Sequence, residues 1–541
     1  MANNKIIYGK IITLDDKDTI AEAMYIEDGI IKFIGTHDGV QKFKTGKTLI
    51  LDFGGNFIYP GFMDAHMHGT MAATQLCGYC DLSAGKNVKD YVKIIKDFIA
   101  KNPGWHTYVG TNWLVQNMKE YPTKKELDDL HVDAEIYMLT EDRHMVWTNS
   151  KVLEKYKITS ATAKTIGTAS CKVFPNGEPT GVFSDSPAMA LVSGIKLPID
   201  VSRKGYIEWQ KQAFSWGYTA VCEAAVLERT PTLMCSRYSE LAETGLFKLR
   251  TYALYLVPFG KDNWQEEINY VKDCAAKFNS EYFKIYGIKL FADGVVEARS
   301  AWLLEDYSDE PGYRGFPIIK DEKLLVDMIN AANLEDLVVH VHSIGDASTQ
   351  LIVNGMIKSQ QQTGSEDARN AIAHLELVDK KDIERMGKNK IIACVAPMWS
   401  PFMPTYSEIE IKYLGKKRGM SILPIKSFVD ANALIAFHSD YPGCKNAAIP
   451  ETLYRAVTRS SSSLGKVSQR NPKECITIKQ ALYAMTRNVA YSFKEEKRLG
   501  TIEVGKIANF TIFDTNFLNC PVENIAKAKV VNTIVDGEIV Y

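Results

Sequence analysis

Eight apolar segments of strand length recur along this chain with helical stretches between them, and that alternation constrains the fold more than any other feature. They are Gly61–His66, Thr219–Glu223, Leu249–Leu256, Ile285–Ala292, Leu337–His342, Ala371–Leu375, Ile391–Ala396 and Leu434–Asp440. Strands that alternate with helices fold into a parallel α/β sheet. Eight such strands close a (β/α)8 TIM barrel. One further strand candidate, Ala134–Thr140, falls in a gap of about 150 residues between the first and second strands, far longer than an ordinary connection. Residues 75–205 are therefore expected to form a large insertion after the first barrel strand, lying over the barrel mouth.

The two ends of the chain read differently. Lys5–Leu14, Ala23–Glu27 and Ile30–Gly35 look like short strands, with Asp28-Gly29 as a hairpin turn. Near the other end, Asn509–Phe513 and Val530–Val535 precede an Asp536-Gly537 turn and Glu538–Tyr541. Neither end can close a sandwich alone. Together, residues 1–58 and 496–541 are expected to form one small β-sandwich domain, with the barrel and its insertion occupying 59–495.

The strand ends carry the chemistry. In such barrels functional groups sit at the C-terminal ends of the strands. The first strand ends in His66-Met67-His68, and residues two apart in a strand point to the same side. Two neutral imidazoles aimed at one point form half of a first-row metal site. Later strand ends supply Lys289, His342, His374 and Asp440. Lysine as ammonium is a poor ligand, but its carbamate, formed with CO2, presents a carboxylate able to bridge two metals. The bland readings stay open beside this one. Lys289 could be an ammonium paired with Asp293 or Glu297. His340 and His438, each two residues before a candidate ligand, could be buried supports or competitors. Asp440 could cap a helix.

Composition excludes several classes. With 46% hydrophobic and 24% charged residues the chain is ordinary for a globular protein, and a net charge of -1 offers no bulk attraction for nucleic acid or anionic membrane. No apolar run approaches the roughly 20 residues of a membrane span. The N-terminus lacks the apolar core and cleavage site of a signal peptide, so a cytoplasmic location is expected. The 10 cysteines are scattered as free thiols would be. Cys77-Gly-Tyr-Cys80 has no second CxxC to complete a zinc ribbon and reads as a loop with two incidental thiols.

With these residues in place, the chain resembles the amidohydrolase superfamily. Pro60-Gly-Phe-Met-Asp-Ala-His-Met-His68 matches its first-strand signature, and Gly505-Lys-Ile-Ala-Asn-Phe-Thr-Ile-Phe-Asp514 its return to the small β-domain. Glu141-Asp-Arg-His-Met-Val-Trp-Thr-Asn149, Gly177-Glu-Pro-Thr-Gly181, Lys289-Leu-Phe-Ala-Asp-Gly294 and His342-Ser-Ile-Gly-Asp346 narrow it to the branch containing N-substituted formamide deformylase. The resemblance implies His66, His68 and Asp440 on one divalent metal, His342 and His374 on another, and carboxylated Lys289 with a hydroxide bridging them. Zinc is the expected ion, though nickel, cobalt, iron and manganese suit the same ligands. Asp440 would orient the hydroxide and pass its proton to the leaving nitrogen. The substrate would be a small molecule with a C–N amide bond, such as an N-substituted formamide. A homodimer is compatible with the resemblance.

His144 and Arg143 of the insertion, Asp293, Arg299 and Trp113 are the substrate-facing candidates. Arg143 stands where this branch leads one to expect glycine, and Asn509 where it leads one to expect aspartate. Two rivals remain. One is a mononuclear aminohydrolase that deaminates an amidine or aminated ring, with one metal on His66, His68, His342 and Asp440. The other is a scaffold that kept the barrel and lost the chemistry.

Overall fold

The computed structural model describes residues 4–541 except 115–119, 141–144, 168–169, 185–186, 189, 192–194, 196–198, 227–233, 260–262 and 366. Two compact units account for the chain: Met1–Gly69 with Gln210–Tyr541, and Thr70–Trp209.

The first unit contains the barrel. Its strands are β1 (Phe62–Met67), β2 (Tyr218–Val226), β3 (Arg250–Leu256), β4 (Phe283–Phe291), β5 (Val338–Ser343), β6 (Ala371–His374), β7 (Ile392–Val395) and β8 (Ile435–Phe437). They pair in parallel, with β1 beside β2 and each later strand beside the next. The circle is drawn together by backbone bonds: Asp440 N donates to His66 O at 3.0 Å and His68 N to Tyr441 O at 2.8 Å. A strand covered on both faces must be apolar nearly throughout, and every residue of β1, β2, β5, β6, β7 and β8 is buried. The barrel core is unusually rich in small side chains, among them Ala65, Ala220, Cys222, Ala373, Cys394 and Ala436. Small residues there leave room for long polar side chains above them. Phe493, after the helix Arg487–Ser492, closes the other end by stacking on Tyr252 with ring centroids 4.4 Å apart.

The two ends of the chain build one seven-stranded sheet. Its spatial order is Glu538–Ile539, Val530–Val535, Phe510–Phe513, Leu49–Pro60, Asn4–Ile12, Ile20–Glu27 and Ile30–Gly35. The long strand Leu49–Pro60, which Gly54 and Gly55 disguise in the sequence, is the member that joins the N-terminal strands to the C-terminal ones. Fully buried Arg250 ties the start of β3 to this sheet, bonding to Asp536, to Glu281 at 2.8 Å and to Asn509 Oδ1 at 3.4 Å. Asn509 thus serves the sheet and stands away from the strand ends.

The second unit has its own six-stranded sheet, ordered Cys171–Val173, Pro179–Ser184, Met145–Thr148, Glu135–Thr140, Thr107–Trp113 and Tyr79–Asp81. The extra strand expected at 134–140 belongs here. Cys77 and Cys80 lie at the end of the helix Gly69–Gly78 and in the strand Tyr79–Asp81, not in a loop. Neither forms a disulfide, and burial pushes the Cys80 thiol up to about 12, which makes it inert. Among the described residues, no helix is long and apolar enough to cross a membrane.

Candidate metal centre

Six of the residues singled out in the sequence line a single cavity of about 630 Å3 at the C-terminal ends of the strands: His66, His68, Lys289, His342, His374 and Asp440. His66 Nε2 and His68 Nε2 each lie 3.2 Å from Asp440 Oδ1. That oxygen nevertheless has no hydrogen-bond partner. Ligands about 2.0–2.1 Å from a tetrahedral ion stand roughly 3.4 Å from one another, so these spacings are those of a ligand shell. Ligand atoms of His66, His374 and Asp440 all fall within 4.8 Å of one another. The His342 and His374 rings are 4.6 Å apart, centroid to centroid.

Strand alternation does not by itself aim these groups. Ala371 and Ala373 join the barrel core, so a regular β6 would turn His374 to the opposite face. His374 instead has φ 81 and Leu375 φ 54, and Asp440 has φ 55. Left-handed backbone at non-glycine residues costs on the order of 1–3 kcal/mol and is characteristic of functional sites. Here it swings His374 inward. His66 Nδ1 shares a hydrogen bond of 2.9 Å with His340 Nε2, which leaves His66 Nε2 for the centre. His340 is therefore a support. Buried Asp64 accepts from the amides of His66 and Ser439, each at 3.0 Å, and pins β1 to β8 just below the ligands. Burial pushes its carboxyl up to about 7.

The electrostatics suit a cation. Burial holds His66 and His374 well below the ordinary imidazole value, and burial with the Lys289 charge brings His342 down to about 3. All three are neutral near pH 7, the state that ligates. Burial alone would raise the Asp440 carboxyl, but the surrounding imidazoles, His68 first, hold it well below the usual carboxylate range. Lys289 is lowered by burial to about 8, only partly offset by Asp440. Its Nζ is buried without a hydrogen-bond partner, as are His374 Nδ1 and both nitrogens of His438. Such orphaned groups are rare in a native interior. Oxygen and nitrogen donors gathered around them fit a first-row divalent ion.

The structure treats the other candidates differently. Lys289 pairs with neither Asp293 nor Glu297, and its rival Lys284 is bonded to Glu495 at 2.5 Å. Asp293 is not free to meet a substrate. Its carboxylate accepts from the amides of Ile344, Gly345 and Trp302 at 2.9–3.0 Å and from Ser348 Oγ at 2.8 Å. It is a clamp between the loops after β4 and β5. Asp293→Ala would strand those buried amides, and is expected to lower the unfolding free energy by about 3–4 kcal/mol, read from the urea midpoint at unchanged slope. A change below about 1 kcal/mol would return Asp293 to the substrate-binding role.

Arg299 is also committed elsewhere. It pairs with Glu310 and with Asp309 at 3.5 Å, and lies over the rings of Tyr307, Tyr313 and Tyr413. Trp113 is fully buried in the core of the second unit, its Nε1 donating to Met138 O at 2.7 Å, and so serves packing rather than binding. Arg143 and His144 lie outside the described residues.

Three further carboxyl groups line the cavity: Glu297, which the sequence offered only as a partner for Lys289, and Glu376 and Glu410, to which it gave no role. Glu376 stands two residues after His374, a spacing that could have flagged it. Trp399 stacks on His374 with ring centroids 5.4 Å apart and an interplanar angle of 12°.

The chain is similar to several known proteins. A sequence model described as amidohydrolase family matches residues 50–541. The putative amidohydrolase YtcJ of Bacillus subtilis (strain 168) is 25% identical over 548 residues, spanning 98% of each chain. N-substituted formamide deformylase of Arthrobacter pascens is 22% identical over 561 residues, spanning 100% of this chain and 98% of that one. Among solved structures, an uncharacterized metal-dependent hydrolase from Pyrococcus horikoshii OT3 is similar with a TM-score of 0.77 at 22% identity, covering 96% of this chain and 99% of that one.

Proposed function

The chain belongs to the amidohydrolase family, and from that premise we propose that it is a metal-dependent hydrolase that cleaves a C–N amide bond of a small molecule, such as an N-substituted formamide. The observation that supports this reading best is the convergence of His66, His68, Lys289, His342, His374 and Asp440 on one cavity, with the buried polar atoms of Lys289 and Asp440 left unpartnered. His66, His68 and Asp440 would hold one divalent ion, zinc in the simplest case, and His342 and His374 a second. A carbamate on Lys289 would supply further oxygen ligands. Its formation needs the free amine, which burial favours. Such ions supply a Lewis acid for the scissile carbonyl and make water more acidic. Asp440, ionised at neutral pH, is placed to accept a proton and return it to the leaving nitrogen.

A second reading has one observation in its favour. The tight grouping of His66, His374 and Asp440 within 4.8 Å would suffice for a single ion, as an aminohydrolase that deaminates an amidine or aminated ring needs, although the ligands expected for that reading were His66, His68, His342 and Asp440. Elemental analysis of protein purified without chelator separates the two. Two ions per chain, falling on Lys289→Ala, together with turnover in a panel of amides and formamides, is the expected result. One ion, unaffected by that substitution, with ammonia released from amidines, would overturn it.

A further inference from the structure

Resting on that reading, the cavity wall points to the kind of substrate. We propose that Glu297, Glu376 and Glu410 form a recognition site for a positively charged organic group, an ammonium or guanidinium, carried by the substrate away from its scissile bond. Glu376 is 6% exposed and lines the cavity, and its buried Oε2 has no hydrogen-bond partner. A buried carboxylate oxygen left unmet in a wall open to ligand is a costly arrangement unless a donor arrives from outside. Glu297, on the loop after β4, accepts from its own backbone amide and forms no ion pair among the described residues.

Glu410 is the one neutralised member, held by fully buried Arg470 at 2.8 Å. Arg470 in turn donates to Ser407 and to the Gly419 carbonyl, so it is fixed in place and cannot swing to Glu376. Arg455, which lines the cavity, is taken by Glu451 at 2.6 Å and the Met398 carbonyl at 2.5 Å. Neither Glu297 nor Glu376 is ion-paired with an arginine among the described residues. Trp399, Met398, Met403 and Tyr406 line the same space. They suit the carbon skeleton of an organic cation, and the aromatic faces add attraction for its charge. A bare metal ion would have no use for such a wall.

The test titrates metal-loaded protein with two probes of equal length that have no amide bond to cleave, a linear ketone that carries a terminal ammonium and the alkyl ketone that lacks it. The charged probe is expected to bind at least about tenfold more tightly, as a charge-assisted hydrogen bond implies. The preference should shrink with added salt. It should fall in Glu376→Gln and in Glu297→Gln, each with wild-type metal content; if the first variant fails to fold, the second carries the test. Equal binding of the two probes, or an unchanged preference in the folded variants, would overturn the proposal. So would an extra equivalent of divalent metal that disappears in Glu376→Gln while the centre keeps its own. Because binding is read without turnover, a cation preference with no amide hydrolysed would reject the amidase reading alone.

Discussion

Asp440→Asn is expected to lower kcat by about three orders of magnitude on the best amide of the panel, within the range by which positioned acid–base groups accelerate reactions. The substitution keeps shape and volume. It removes the charge that two imidazole nitrogens approach at 3.2 Å, and with it the oxygen able to take a proton at neutral pH. Two measurements interpret the loss. If the variant keeps its metal, the deficit belongs to proton transfer; if metal content falls as well, Asp440 acts as a ligand too. A variant that keeps its fold and more than a tenth of the activity would remove Asp440 from the chemistry.

Lys289→Met should have two effects of opposite sign. Activity is expected to be lost, since under the proposed function Lys289 acts as a carbamate and methionine can form none. The metal-free protein, by contrast, becomes more stable near neutral pH. In the wild type an ammonium is buried without a partner, and its pKa falls from 10.5 to about 8. The unfolded chain holds more protons on this group between those two values, so its burial penalty is fully present below about 8 and disappears as the pH rises toward 10.5. A depression of that size corresponds to about 3 kcal/mol. Urea unfolding of the chelator-treated proteins at pH 7 should show Lys289→Met the more stable by an amount of that order, with the gap closing above pH 10. A less stable variant at pH 7 would mean that Lys289 has a stabilising partner in the metal-free state.

Both effects arise from one property of the site. Its groups are arranged for a cation, and without one they repel or strand each other. The left-handed backbone at His374 and Asp440 adds to this cost. The small-residue core beneath and the Asp64 bridge between β1 and β8 supply the rigidity that holds the arrangement together.

Much of this was written in the chain itself. The eight barrel strands announce themselves because strands covered on both faces must be apolar, and their polar ends stand out against that background. His66-Met67-His68 carries its own geometry in its spacing of two. Other features depended on the fold. The strand Leu49–Pro60 is exposed along much of its length and broken by glycines, so no apolar pattern marks it. Asp293 and Arg299 have the residue types of substrate ligands, but their partners come from loops distant in sequence, and pairing with those partners consumes them. Trp113 is buried because the second unit has a sheet of its own to fill. His374 faces the centre only through two left-handed residues that alternation does not foresee. Local sequence determines which backbone states and donor atoms are available. Which donors are already satisfied, and which are left facing the cavity, depends on contacts between segments far apart in the chain, and only the tertiary structure decides that.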